Sequence, residues 1–168
     1  MEEEPKDVIV LGAIRSGAKK FDKIVRVTKI KPDELNKILE KLEGRGLIEV
    51  KEKKGFFGPK VELNTTEKGS REIDERIHEL QEEWSQMVTL YKTGDKKKLK
   101  EYMDERRSFF PTMMYFGIID MMMFSMMFSM MGIGMSDFFA GDPQVWNMQM
   151  MEILAMQEMV TLTMADLI

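Results

Sequence analysis

The side chains best equipped for chemistry in this chain carry sulfur, and they crowd into one end. Of its 19 methionines, 16 follow residue 108, whereas all 25 lysines and arginines lie at or before Arg107. A thioether is a soft ligand suited to Cu(I), and Met123, Met126 or Met127, and Met130 recur at three to four residues, which puts them on one helix face. No Cys or His stands near them to strengthen a site, and any apolar helix face shows the same spacing, so no metal is expected. The one histidine, His78, falls on the polar side of a helical segment and reads as a solvated residue. Asp120 is the one carboxylate in apolar surroundings, placed to reach a helix terminus or the Arg106–Arg107 pair. With no cysteine, phosphate-binding loop, nucleophile elbow or paired-carboxylate site, the chain reads as no enzyme and calls for no cofactor.

A different use of methionine fits better. Its flexible, polarisable side chain lines surfaces that must fit varied apolar partners. Met114, Met121, Met122, Met123, Met126, Met127, Met130, Met131, Met148, Met151 and Met159 are the candidates for such a surface. They would receive a hydrophobic peptide, a transmembrane segment or an apolar ligand. The region resembles the M domain of the signal recognition particle, in composition and in being several Met-rich helices, without a shared motif. The competing reading is an ordinary core between the protomers of a dimer.

The charges divide the chain in the same place. Residues 1–107 carry a net +2 and residues 108–168 a net −6, so only the first part offers a surface to a polyanion. The acidic start MEEEPKD lacks the positive region of a signal peptide. Together with the missing cysteines this suits a reducing cytoplasm.

Pro5 opens a helix over 6–16 that Gly17 ends. Phe21, Ile24, Val25 and Thr28 give a second helix its inner face. Pro32 starts a third, where a missing N–H has no partner to lose; Leu35, Ile38, Leu39 and Leu42 point inward. Ile48 and Val50, then Val61 and Leu63, alternate with polar residues as two paired strands, with 53–59 between them as turn material.

Three helices and then a hairpin is the order of a winged helix. The runs LNKILEKLEGRGLIEV (35–50) and VELNTTEKG (61–69) resemble those of the MarR and PadR-type winged helix-turn-helix regulators, common in archaea and bacteria. The likeness covers about residues 5–70. It implies that the third helix enters the major groove of double-stranded DNA while the wing touches phosphates. Carried onto this chain, Asn36, Lys37 and Lys41 become candidate base or phosphate contacts, Lys51, Lys53, Lys54 and Lys60 flank the wing, and Lys29 and Lys31 sit at the turn. Asp33, Glu34, Glu40 and Glu43 share the third helix and weaken its charge, although residues 5–63 hold 15 cations against nine anions.

Thr65 or Thr66 can cap the next helix, which runs to about residue 92. Its Ile73, Ile77, Leu80, Trp84, Met87 and Tyr91 are spaced alternately by four and three residues. That is a coiled-coil seam or the inner face of a helix packed on its own chain. The resemblance favours the seam and hence a homodimer. Asp95 caps a helix over 96–107, and an almost wholly apolar helix is expected over 112–131, with Gly132-Ile133-Gly134 breaking it. Ser136 would cap a single turn over 137–140, and Gly141-Asp142-Pro143 would open a last helix. Residues 113–131 approach the roughly 20 needed to span a bilayer, so membrane association through 112–139 stays open beside the expected cytoplasmic location.

The expected fold is therefore mainly α with a small β-hairpin: a winged helix-turn-helix domain (1–66), linking or dimerisation helices (67–107) and a Met-rich helical domain (108–168). The expected role is a homodimeric DNA-binding transcriptional regulator whose last domain dimerises and binds an apolar ligand or protein. The alternative is a chaperone-like or targeting factor that holds hydrophobic segments in a Met-lined groove, with the winged fold as a docking module.

Overall fold

Short helices whose apolar residues return every three to four positions must bury those faces against one another. They do so in a computed structural model that describes residues 4–139. The expected last helix, with Met148, Met151 and Met159, lies outside the described residues. The fold is mainly helical with one two-stranded antiparallel hairpin. The described residues form two compact units, one of residues 4–79 and one of residues 80–139. The boundary between them falls inside the segment 67–107.

The first unit contains α1 (Asp7–Arg15), α2 (Phe21–Thr28), α3 (Pro32–Gly44), β1 (Ile48–Gly55), β2 (Gly58–Thr65) and the start of α4 (Glu67–Thr93). Val10, Leu11, Ala13 and Ile14 of α1 are buried almost completely, with Ile24, Leu35 and Leu42 from the next two helices. The turn between α2 and α3 is fixed by Thr28, whose Oγ1 donates to the Ile24 carbonyl at 2.6 Å and accepts the Ile30 N–H at 3.3 Å. Lys29 takes the left-handed conformation there, with φ 60°.

The hairpin is longer than the alternation suggests. Pairing runs from Ile48 opposite Thr65 to Gly55 opposite Gly58, leaving only Phe56 and Phe57 as the turn. The 53–59 stretch, expected as turn, is mostly strand, because the glycines flank a tight two-residue loop. Ile48 and Leu63 anchor its base in the core, while Val50 and Val61 stand exposed.

The Thr-Thr-Glu-Lys-Gly run has a local physical job. Thr66 caps α4: its Oγ1 accepts the Gly69 N–H at 3.1 Å and donates to the Gly46 carbonyl at 2.7 Å, while its N–H reaches the Leu47 carbonyl at 3.0 Å. A Cβ at Gly69 would lie 2.1 Å from the Leu47 carbonyl oxygen. Only glycine lets the helix start this close to the chain leaving α3.

The second unit holds the rest of α4, then α5 (Lys96–Glu105), a 3-10 turn (Arg107–Phe109), α6 (Phe110–Tyr115), α7 (Met121–Met131) and α8 (Met135–Phe139). The single helix expected over 112–131 is broken in two. Gly117, at φ +67°, lets the chain turn back at the end of α6, and Asp120 then caps α7 by accepting the Met122 and Met123 N–H groups at 3.0 and 3.2 Å. Asp120 thus serves a helix terminus, while Arg106 pairs with Glu83 and Arg107 with Asp104. The break ends the 113–131 span: α7 has 11 residues, roughly 16 Å of helix. Among the described residues no helix is long and apolar enough to cross a membrane. The short turn expected over 137–140 begins at Met135 and is described to Phe139.

Phenylalanine, not methionine, makes the centre of this unit. Phe110, Phe124, Phe128, Phe138 and Phe139 are buried, with ring centroids as close as 4.8 Å in edge-to-face pairs. Such geometry sets the positive edge of one ring against the negative face of another. Met87, Met103, Met113 and Met127 fill the remaining space and have no exposed surface.

Candidate functional site

The sequence-derived contacts separate by what their charges meet. Asn36 and Lys37 are exposed on α3, and Lys29 and Lys31 are exposed on either side of the turn before it. Lys41 is different. Its Nζ lies 2.7 Å from Oδ2 of the buried Asp7, which Arg45 also approaches at 4.0 Å, so its charge is engaged in holding α3 to α1. In the hairpin, Lys51 meets Glu49 at 3.6 Å and Lys53 meets Glu62 at 3.2 Å. Lys54 and Lys60 are exposed.

Four further cations belong to the same unit. Lys19 and Lys20 lead into α2, and Lys23 and Arg26 lie on its outer side; all four are exposed. The Lys19 carbonyl accepts the Leu63 N–H at 2.8 Å, which sets this segment beside the base of the hairpin. The Glu62 carboxyl registers the neighbourhood. Its pKa is held below the usual carboxylate value, first by the hydrogen bond from Lys53 and further by the charges of Lys19 and Lys20. The signal for these residues was present as Lys19-Lys20 followed by cations at 23 and 26, on the polar side of a strongly amphipathic helix. Asp22 on α2 and Asp33, Glu40 and Glu43 on α3 are exposed as well, so the cationic character rests on α2 and the outer hairpin more than on α3.

The six-residue row on α4 is largely internal. Ile73, Leu80 and Met87 have no exposed surface in the single chain. Leu80 and Met87 belong to the second unit's core, against which Trp84 and Tyr91 pack. Trp84 meets Phe124 edge-on at 6.1 Å. A second copy could reach only Ile77, Trp84 and Tyr91, each half-buried. The row therefore acts as the inner face of a helix packed on its own chain.

The methionines expected to contact a partner divide by helix face. Met121 and Met127 are core; Met114, Met123, Met130 and Met131 are half-buried; Met122 and Met126, one turn apart on α7, are 64% and 42% exposed. Beside this unit's core, Glu83 accepts hydrogen bonds from the Tyr102 hydroxyl and from Arg106, whose guanidinium lies 3.5 Å from the Tyr102 ring centre. Burial and then the Glu83 carboxylate raise the Tyr102 phenol to about 12. In the first unit Glu4 is paired with Arg76, yet burial still raises its pKa above the usual value.

Comparison with protein-family models, with curated proteins and with solved structures finds no match to this chain.

Proposed function

We propose that this chain is a winged helix-turn-helix DNA-binding protein that regulates transcription as a homodimer. The observation carrying this reading is the order α2, tight turn, α3, hairpin, with exposed Lys19, Lys20, Lys23, Arg26, Lys29, Lys31 and Lys37 on the two helices and their flanks, beside a lysine-bearing hairpin. Asn36 and Lys37 are the side chains of α3 free to meet base edges, and the α2 cations and Lys60 would neutralise phosphates. The likeness of residues 35–50 and 61–69 to MarR and PadR-type regulators supports the same reading.

The test is binding of the full chain to a pool of random-sequence duplexes, measured against salt. The expected affinity falls steeply with salt, by about 0.9 log units per log unit for each phosphate neutralised. Charge reversal at Lys20 and Lys23 should weaken binding to all sequences and flatten that slope. Lys37→Glu should remove sequence preference. A salt-independent complex, or none, would sink the proposal.

A second reading rests on Met122 and Met126. Two exposed thioether side chains one turn apart, on a unit with no cation from residue 108 on, suit an apolar partner. Under this reading the protein is a chaperone-like or targeting factor, and it captures hydrophobic peptides through α7 while ignoring duplex DNA.

A further inference from the structure

The tip of the hairpin holds the two most exposed aromatic side chains among the described residues: Phe56 at 100% and Phe57 at 97%. Gly55 pairs with Gly58, so these two residues alone make the turn, and their rings stand 6.0 Å apart. The exposed Pro59 follows. Neither ring contributes to the buried core, so the fold gives no reason for either.

The charge around them is one-sided. From residue 53 to residue 60 there are three lysines and no acid. Lys53 and Lys60 sit directly opposite each other across the strands, a like-charge pairing that disfavours the hairpin unless an anion answers it. Glu62 lies 3.2 Å from Lys53 and is not paired with Lys60. Two bare rings ahead of a collar of lysines fit a surface that is anionic outside and apolar beneath. Duplex DNA matches the lysines but would accept the rings only by unstacking a base step. A second copy of the hairpin, tip to tip, would set lysine against lysine.

We infer that the Phe56–Phe57 tip inserts into an anionic lipid surface, the two rings passing below the headgroups while Lys53, Lys54 and Lys60 lie among the phosphates. The tip is one hairpin wide, with strands about 4.8 Å apart, which suits shallow peripheral insertion and needs no spanning helix. Phenylalanine is among the apolar side chains that bury at the headgroup–acyl boundary, and nearby lysines add attraction to anionic lipid. The two rings stand apart from the DNA reading, whose base contacts rest on α3 and whose phosphate contacts draw on α2 and, in the hairpin, on Lys60.

The experiment uses the full chain with vesicles of phosphatidylcholine, with and without phosphatidylglycerol. Because the chain has no cysteine, a Phe57→Cys variant can carry a polarity-sensitive fluorophore at the tip alone. The expected result is cosedimentation only with the anionic vesicles, a blue shift of the label on binding, and a loss of about tenfold or more in vesicle affinity for Phe56→Ser/Phe57→Ser. The circular dichroism and duplex-DNA affinity of that double variant should match the parent. The inference is overturned if the parent ignores anionic vesicles, or if the double variant binds them equally well, which would place lipid contact elsewhere. It is also overturned if the double variant loses duplex affinity while vesicles are ignored, which would give the tip to DNA.

Discussion

At the scale of single residues, the two positions that distinguish the Thr-Thr-Glu-Lys-Gly run do so through backbone geometry. Gly69→Ala would drive a methyl group into the Leu47 carbonyl, which belongs to the backbone and cannot swing aside. The expected loss is about 1–3 kcal/mol; Thr66→Ala, which removes the cap, should lose about 1 kcal/mol. Chemical denaturation of the full chain checks both, and a Gly69→Ala chain as stable as the parent would show that α4 does not approach so closely. The run was legible in the sequence as a pattern, but its reason was not, since Leu47 lies 22 positions earlier. Tyr102 makes a pH prediction of the opposite kind. Its raised pKa means that the protonated phenol stabilises the fold fully below pH about 10 and ceases to do so as pH rises toward about 12. The phenolate band of the parent minus Tyr102→Phe should therefore appear near pH 12. Glu83→Gln should bring it down, though not to the ordinary value, because burial is the larger cause.

At the scale of elements, end signals governed what could be read. Pro32, Asp95 and the Gly132 break fall where the sequence put them, since each acts on its own neighbours. The split of the Met-rich segment into α6 and α7 was hidden because hydrophobicity continues through Phe116-Gly117-Ile118-Ile119, and composition outweighed one glycine and one aspartate. Asp120→Ala should lower stability by about 1 kcal/mol and reduce helicity, while Asp120→Asn, which can still accept both N–H groups, should lose less. Lysines of α3 show the other limit of sequence reading. Lys37 and Lys41 are one turn apart and alike in type, yet the partner of Lys41, Asp7, comes from α1. Lys37→Glu should change stability by no more than about 0.5 kcal/mol, whereas Lys41→Glu, which faces a buried carboxylate, should destabilise the fold. Thermal melts of the pair separate a surface role from a structural one before any binding measurement is made.

At the scale of the whole molecule, the question is which surface a second chain or an apolar partner would meet. The four-and-three spacing on α4 is the same for a seam between copies and for a helix seated on its own core, so periodicity alone could not choose. Packing chooses: Ile73, Leu80 and Met87 are fully covered inside the chain. If the protein is a homodimer, the contact must draw on surface that remains, and among the described residues of the second unit Met122 and Met126 are the large exposed apolar side chains. Sedimentation of the full chain tests this directly. Met122→Asp/Met126→Asp should leave the melting transition nearly unchanged, because neither side chain is core, while converting a dimer to a monomer or releasing a hydrophobic peptide. Leu80→Asp should instead unfold the unit, since a carboxylate would enter a space with no polar partner. A double variant that keeps both its mass and its peptide affinity would make the outer methionines bystanders and return the search to Ile77, Trp84 and Tyr91, whose half-buried surfaces would then be the next positions to charge.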